Sequence, residues 1–592
     1  LSSKLRLYLK CLLSVILQEL LQWNTIMKKE KTMEKIPKSF ETNNPWHGSE
    51  PEIPQSAITE TIETEILICG AGNAGMMAAI AAGKQGAKTL VIEKNKRVGF
   101  IKPYMGAIDT KAQKAVGDKA KIDKEEIVQE LVNYGTKFMK EKQVYSPDYK
   151  PSKYRGSNKV DEKLIRLWAD ESGPAFDFLA EELSEYGIKH VAEYDIADGH
   201  HGGLKVYPTQ TKLLVPLHKG GPFAVIHAGI YVLERFFVKK IKSLGVKCMF
   251  NTPMVKLIKD GNRVVGVIAR KKNGKYIRIN ASKGVLLSTG GYAAQEELVG
   301  KLNPEATAMS VLRYVQKGNH GDGIKAGIWA GGEKDKYPSA MVFDRGIAKP
   351  GKKSDIPIRI GGSFDSFFFG SQPFMKVNMD GKRYCNESVP YDVILNPLQN
   401  EKNGVACIIW DRNYWKHVKI FNTVGCSRMV PSKSTPKTYE GMGRFMNFGL
   451  ILMMRLKGYI KKAGTIEGLA KKLKLPVEEF KYTVERYNDM AQHGEDKDFG
   501  KSAKDLLALK KPPYYGYTYG GWLLTTMDGL RINENTQVLD AKGNAIEGLY
   551  AAGDIAGGFF ADNFYPELIV GVAVGKTMTF ARHAVLHMTG AQ

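Results

Sequence analysis

The sequence predicts an α/β protein in which one α/β domain is interrupted by an inserted α+β domain. Three observations predict it. From Ile66 to Glu93 a buried apolar run, a glycine turn, an alanine-rich stretch and a second apolar run follow one another, the order of a strand–turn–helix–strand unit. Between about Gly332 and Gly520 this regularity gives way to a stretch rich in aromatics, turns and lysine. Regular signals return at Leu549-Tyr550-Ala551-Ala552-Gly553-Asp554, which reads as a strand ending in a glycine and a carboxylate. The implied division is 1–60 as N-terminal extension and linker, 61–332 as the first part of the α/β domain, 333–520 as the insert, and 521–592 as the second part.

The elements follow in order. The chain begins with Leu1, and its early run from Leu5 to Leu21 is broken by Lys10, Gln18 and Glu19, too polar for a membrane span and without the cleavage pattern of a secretory signal. Met27 or Met33 is a candidate start, and Thr42 to Ile58, with three prolines, reads as a linker. Ile66 to Cys69 is the first buried strand, Ala74 to Ala87 a tightly packed helix, and Leu90 to Ile92 a second strand ending at Glu93. Helical periodicity runs from Asp123 to Gly187, with Trp168, Phe176 and Leu179 as core positions. Val246 to Ala281 alternates like strands joined at Asp260-Gly261-Asn262 and Asn273-Gly274, both hairpin signals. Gly284 to Ser288 is a further buried strand, and Val572 to His587 closes the chain as a helix.

Composition bounds the function. A length of 592 residues exceeds what one hydrophobic core sustains, so more than one domain is expected. An apolar share of 43% and a charged share of 25% describe a soluble globular chain. The formal charge of +24 comes from lysines spread along the whole length without a dense basic cluster, so no nucleic-acid partner is expected. The six cysteines form no Cys-x-x-Cys pair, against a zinc ribbon, an attached haem or a dithiol redox motif. No metal site is expected, and this cysteine usage fits a cytoplasmic location.

Gly70-Ala71-Gly72-Asn73-Ala74-Gly75 supplies a tight turn, a close backbone approach to a pyrophosphate and free amides at a helix start. Glu93, eighteen residues after Gly75, is placed to accept from a ribose diol. The fingerprint alone does not distinguish FAD from NAD. The later segments do: Thr289-Gly290-Gly291, Gly321-Asp322-Gly323, Phe374-Met375-Lys376-Val377-Asn378, Tyr384-Cys385-Asn386-Glu387 and Gly548 to Asp554 resemble the fumarate reductase and succinate dehydrogenase flavoprotein family. The resemblance implies FAD held in a Rossmann-like domain that is interrupted by a capping domain. It also implies a set of cofactor-binding positions. Gly70, Gly72, Asn73, Ala74 and Gly75 with Glu93 and Lys94 would hold the adenosine diphosphate half, and Val255 would meet the adenine. Gly106, Thr289, Gly290, Asp322, Gly553 and Asp554 would line the middle, and Val570 and Gly571 the pyrimidine edge.

The departures from that family carry the substrate argument. Its fumarate reductases grip a dicarboxylate with two histidines and an arginine, and protonate carbon with a further arginine. Tyr391 stands here where the proton-donating arginine would be. Tyr337-Pro338-Ser339 replaces a histidine before proline, Thr525-Thr526-Met527-Asp528-Gly529 replaces the His-Thr-Met-Gly-Gly stretch, and no arginine lies between Gly558 and Gly571. Aromatic and neutral replacements describe a pocket for a less charged, ring-containing molecule. Tyr565-Pro566 with Met578-Thr579-Phe580 further resembles the flavin-dependent 3-ketosteroid dehydrogenases.

The expected activity is FAD-dependent reduction of an activated C=C bond, an enone or enoate on a cyclic or steroid-like molecule, by an unidentified electron donor. Tyr391 is the expected proton donor, with Tyr565 and Tyr337 as further catalytic candidates and Thr525, Phe560 and Phe564 as substrate contacts. Among 27 tyrosines an arbitrary one is a packing residue, so it is family position that singles these out. His200-His201 could line a pocket mouth or sit on an exposed loop. The alternatives are ketosteroid desaturation and, from another class, a basic FAD protein that binds RNA.

Overall fold

Alternation outside the predicted strand lengthens it. The computed structural model describes residues 46–591 except 100, 138–143, 146–159, 196–203, 216–232, 314, 316–317, 353–367, 431–432, 434–441 and 561–562. The early run, its candidate start methionines and His200-His201 lie outside the described residues. The first strand spans Ile58–Cys69, eight residues longer at its start than the buried ILIC core. Its ITETIETE half alternates between the two faces of the sheet and pairs in parallel with Tyr276–Leu287, so part of the predicted linker is strand. The helix after it, Asn73–Lys84, stops short of Ala87 because Gly86 takes a left-handed conformation (φ 68°), letting the Ala87 amide donate back to the Ala82 carbonyl.

Thr89–Glu93 pairs in parallel on the other side of the first strand, with Ile66 opposite Thr89, and Lys247–Phe250 continues the sheet beyond it. On the Tyr276–Leu287 side, Ala545–Ala551 joins in parallel with Leu549 opposite Val285. The hairpins Met254–Asp260, Arg263–Arg270 and Tyr276–Leu287 turn where the Gly261 and Gly274 signals stand. The C-terminal helix Val572–Thr589 packs on the first helix and on the long helix Glu162–Ser184, which buries Trp168, Phe176 and Leu179. The ends of the parallel strands therefore gather Gly70, Ser288 and Ala552 at one edge, the place where open α/β sheets bind ligands.

A second, six-stranded sheet is built on Tyr514–Thr526, which pairs with Ser310–Arg313, Ala340–Ala348, Ala406–Trp410 and Lys461–Ala463, while Met375–Asn378 extends it beyond Ala406–Trp410. One face packs on the helices Ile466–Leu473 and Val477–His493 through Val377, Cys407, Ile409, Leu469, Phe480 and Tyr487. Sheet and helices together are α+β, and they draw on residues either side of 333 and 520. A three-stranded sheet of Tyr104–Gly106, Lys189–Ala192 and Gln210–Leu214 completes the core. No helix among the described residues is long and apolar enough to cross a membrane.

Candidate functional site

The glycine turn is as tight as its chemistry needs. A Cβ on Gly70 would lie 2.4 Å from the Ser288 carbonyl oxygen, and one on Gly75 would lie 1.9 Å from the Gly70 carbonyl oxygen. A Cβ on Gly72 would meet nothing within 4 Å. The turn is thus closed against itself and the end of the neighbouring strand Tyr276–Leu287, and open at its tip. Helix Asn73–Lys84 starts there with no side-chain cap, so its first amides are available to an anion. Glu93 accepts from the Ala71 amide at 2.8 Å through Oε2, and from the backbone and side-chain amides of Asn95 at 2.8 and 2.7 Å through Oε1; Oε2 has a further lone pair to offer. Lys94 and Asp322, distant in sequence, form an ion pair at 2.5 Å beside it. The Thr252 amide donates to the Glu93 carbonyl, which brings the strand entry before half-buried Val255 to the same end. Asn73 turns its Oδ1 to the Lys102 amide at 3.0 Å. An open turn tip at Gly72 under uncapped helix amides, with the Glu93 carboxylate beyond it, fits an FAD adenosine diphosphate half.

Gly553 lies between the first and last helices, where a Cβ would sit 3.5 Å from the Ala74 Cβ and 3.7 Å from the Thr577 Cγ2. The next residue, Asp554, accepts from the Thr525 hydroxyl at 2.7 Å; a predicted cofactor position and a predicted substrate position are therefore partners. Thr289 packs against Gly323, and Gly291 against the Thr526 hydroxyl that accepts from the Tyr292 amide. The Gly106 amide donates to the Gly571 carbonyl at 2.8 Å, Thr209 to the Val570 carbonyl at 2.8 Å, and Trp168 to the Gly106 carbonyl at 3.0 Å. Helix Val572–Thr589 begins at left-handed Gly571 without a side-chain cap, so a second helix start faces this region.

The tyrosines divide. Tyr391 and Tyr565, both buried, stack with ring centroids 6.4 Å apart and planes within 14°. Phe343 meets Tyr391 edge-on at 4.7 Å, Phe560 meets Tyr565 at 5.8 Å, and Trp522 adjoins Phe343 at 5.6 Å. The Tyr391 amide donates to Glu567 Oε2 at 3.1 Å, tying the start of helix Tyr391–Leu395 to the 558–571 segment. Tyr337 is half-buried with the Lys336 ammonium 5.3 Å from its ring centroid. Phe564 is buried.

Sequence reasoning missed four buried charged groups around these residues. Lys576, on the inner face of the last helix, donates to the carbonyls of Gly553 at 2.9 Å and Ala556 at 2.6 Å, brackets of the Asp554 turn. Burial pulls its ammonium down to about 8 against the opposing pull of Asp554 and Asp335. Asp335 accepts from the Gly558 amide at 3.0 Å, and burial raises it to about 6. Glu567 is the partner of Tyr391 already described. Arg345, 3% exposed, stands 4.7 Å from the Phe343 ring and donates from Nε to Ser371 at 2.9 Å. For Lys576 a signal existed: it is the one charge within Val572 to Ala581, an otherwise apolar, small-residue stretch. Among the described residues no group of three or more His, Cys, Asp or Glu side chains could hold a metal ion.

Comparison with known proteins agrees with this geometry. A family model described as an FAD binding domain matches residues 65–563. The chain is similar to a vinyl phenol reductase of Lactiplantibacillus plantarum, 27% identical across 88% of this chain and 96% of that one. It is also similar to a 3-oxosteroid 1-dehydrogenase of Mycobacterium tuberculosis, 25% identical across 89% and 98%. Among solved structures, the open conformation of a flavocytochrome c3 fumarate reductase superposes with a TM-score of 0.61 at 23% identity, covering 95% of this chain and 85% of that one; this is a likeness of fold.

Proposed function

The chain belongs to the FAD binding domain family, and from that premise we propose that it reduces an activated carbon–carbon double bond on a neutral, ring-containing molecule rather than on fumarate. FAD is its cofactor, and its relatives are FAD-dependent oxidoreductases of C=C or CH–CH bonds. In the proposed site Gly70, Gly72 and Gly75 and the amides from Asn73 hold the pyrophosphate, while Glu93 takes the ribose, with Lys94 and Asp322 beside it. Val255 meets the adenine. Gly106, Thr289, Gly290, Gly553 and Asp554 line the middle, and the uncapped helix start after Val570 and Gly571 faces the pyrimidine edge, where it favours negative charge. Residues 333–520 act as the cap.

The observation that carries the substrate reading is the buried Tyr391–Tyr565 stack walled by Phe343 and Phe560. Such walls bind a flat ring through apolar area and ring geometry. The vinyl phenol reductase, similar over nearly its whole length, acts by its name on a vinyl group attached to a phenol, a substrate of this shape and charge. When bound and reduced, FAD would supply a hydride, which on an enone or enoate goes to the β carbon. Tyr391 delivers the proton to the α carbon from its hydroxyl, and the Glu567 contact to its amide sets where the ring stands. Tyr565 orients the substrate ring or its carbonyl.

A second reading, desaturation of a ketosteroid, is favoured by the same tyrosine pair and by the 3-oxosteroid 1-dehydrogenase likeness. A cytoplasmic setting belongs to the proposal, supported by Cys69, Cys385 and Cys407 standing as free thiols. The test is a substrate screen. The FAD-loaded protein is reduced anaerobically with a viologen donor, and flavin reoxidation is followed on addition of vinyl phenols, cinnamate-like acids, steroid enones and fumarate. Fast reoxidation by ring-bearing alkenes and none by fumarate is expected. Preferential reoxidation by fumarate overturns the reading, and flavin reduction by a saturated ketosteroid with an artificial acceptor favours the second.

A further inference from the structure

The helix Met442–Leu456 presents an apolar stripe to solvent. Phe448, Leu452 and Leu456 recur every fourth residue, which places them on one face, and they are 62%, 44% and 82% exposed. Ile451 and Met454 on the opposite side are buried. Among the described residues the only other exposed large hydrophobic side chain is Tyr482. Three of the four thus lie on a single stripe, the kind of concentration that marks an interaction surface.

The surroundings of the stripe carry one sign of charge. Leu452 and Leu456 line a surface pocket of about 440 Å³ together with Arg455, Lys461, Lys462 and Lys472, and no acidic residue is among those lining it. The Lys472 ammonium folds onto the Lys462 carbonyl at 2.7 Å, which holds two of these cations together. We infer that this face docks on an anionic lipid bilayer, with Phe448, Leu452 and Leu456 entering the boundary between headgroups and acyl chains and the four cations meeting lipid phosphates.

Three arguments favour this occupant. An amphipathic helix with an apolar stripe and a basic margin is the chemistry that lies flat in a membrane interface, while this helix is too short to span one. A second copy seated by two-fold symmetry would bring Arg455, Lys461, Lys462 and Lys472 against their own counterparts, an arrangement of like charges. The overall charge of +24 adds long-range attraction to an anionic surface of any extent.

The test uses the full FAD-loaded chain and vesicles, and it does not depend on the substrate. Co-sedimentation compares phosphatidylcholine vesicles with vesicles that contain about one third phosphatidylglycerol, at about 0.1 M and about 0.5 M salt. Binding to the anionic vesicles is expected to be at least about tenfold tighter than to neutral ones and to weaken at the higher salt. The variant with Phe448→Ser, Leu452→Ser and Leu456→Ser should keep its flavin and turnover and lose about tenfold or more in binding. The variant with Lys461→Glu and Lys462→Glu should lose the preference for anionic lipid, and it decides the matter where the triple variant does not fold. Equal binding to both vesicle types, undiminished binding of the triple variant, or a dimer in solution that the triple variant converts to monomer would each overturn the inference.

Discussion

Replacing Tyr391 by phenylalanine removes one oxygen from the proposed chemistry and little from the structure. The ring stays, so the edge contact to Phe343 at 4.7 Å and the stack on Tyr565 at 6.4 Å persist. The bond to Glu567 also stays, because the backbone amide makes it. What goes is the hydroxyl that serves as general acid. Such a group contributes about 10² to 10⁴ in rate, or about 3–5 kcal/mol of transition-state stabilisation at about 1.4 kcal/mol per decade. The measurement is stopped-flow reoxidation of pre-reduced, FAD-loaded enzyme by the best alkene from the screen. Flavin content and melting temperature serve as controls for the fold. The expected result is a fall in kcat of at least about a hundredfold with KM nearly unchanged, the pattern of an interaction made in the transition state alone. A kcat within about threefold of the parent would refute the assignment and leave Tyr391 as a wall of the pocket.

Tyr565→Phe, tested in the same assay, should raise KM more than it lowers kcat if that residue orients the substrate. Gly75→Ala drives a Cβ to within 1.9 Å of the Gly70 carbonyl oxygen and 2.9 Å of the Ser288 hydroxyl; the protein should be purified without flavin and melt lower by an amount worth at least about 3 kcal/mol. Arg383→Met strands the buried carboxylates of Glu387 and Asp496, which now receive paired bonds of 2.8–2.9 Å from the guanidinium, and should cost about 3–5 kcal/mol by denaturant unfolding. Lys576 yields a pH dependence: its ammonium is held near 8 in the fold against 10.5 when unfolded. Between those values the unfolded chain binds the extra proton, so this group's contribution to stability rises with pH. Relative to Lys576→Met, the parent should gain about 2 kcal/mol between about pH 7.5 and about pH 10, read as the difference in unfolding free energy. A constant difference across that range would place the Lys576 proton elsewhere.

What was legible depended on whether a residue acts through its backbone or its side chain. The glycine turn, the strand ends and the uncapped helix starts follow from local sequence, because steric closure at Gly70 and Gly75 needs no distant partner to be foreseen. The strand Ile58–Cys69 exceeds its apolar core because its outer half, rich in Thr and Glu, is silent about pairing until Tyr276–Leu287 lies beside it. Pairings across the fold were harder still. Lys94 with Asp322 and Thr525 with Asp554 were each named separately, and only tertiary structure joins them. Arg345 is not legible as a buried cation in the sequence, because nothing local marks the strand Ala340–Ala348 as buried at every position.

That buried arginine bears on the proposal that the substrate is not a dicarboxylate. A dianionic substrate needs at least two cations that the protein has not already neutralised, since moving charge out of water is costly unless it is paired. Near the tyrosine stack the buried cations include Arg345, behind the Phe343 ring and bonded to Ser371, and Lys576, 5.9 Å from the Phe560 ring centroid and bonded to the Gly553 and Ala556 carbonyls; the Ser371 hydroxyl in turn donates to Asp344 at 2.5 Å. On the other side Glu567 accepts from the Tyr391 amide, and Asp392, the next residue, receives the Tyr134 hydroxyl at 3.2 Å. Among the described residues Glu567 and Asp392 thus stand beside Tyr391, and in the proposed reading their charge opposes an incoming dianion. A neutral ring, as proposed, is free of that repulsion, and Phe343, Phe560 and Tyr565 would supply its affinity.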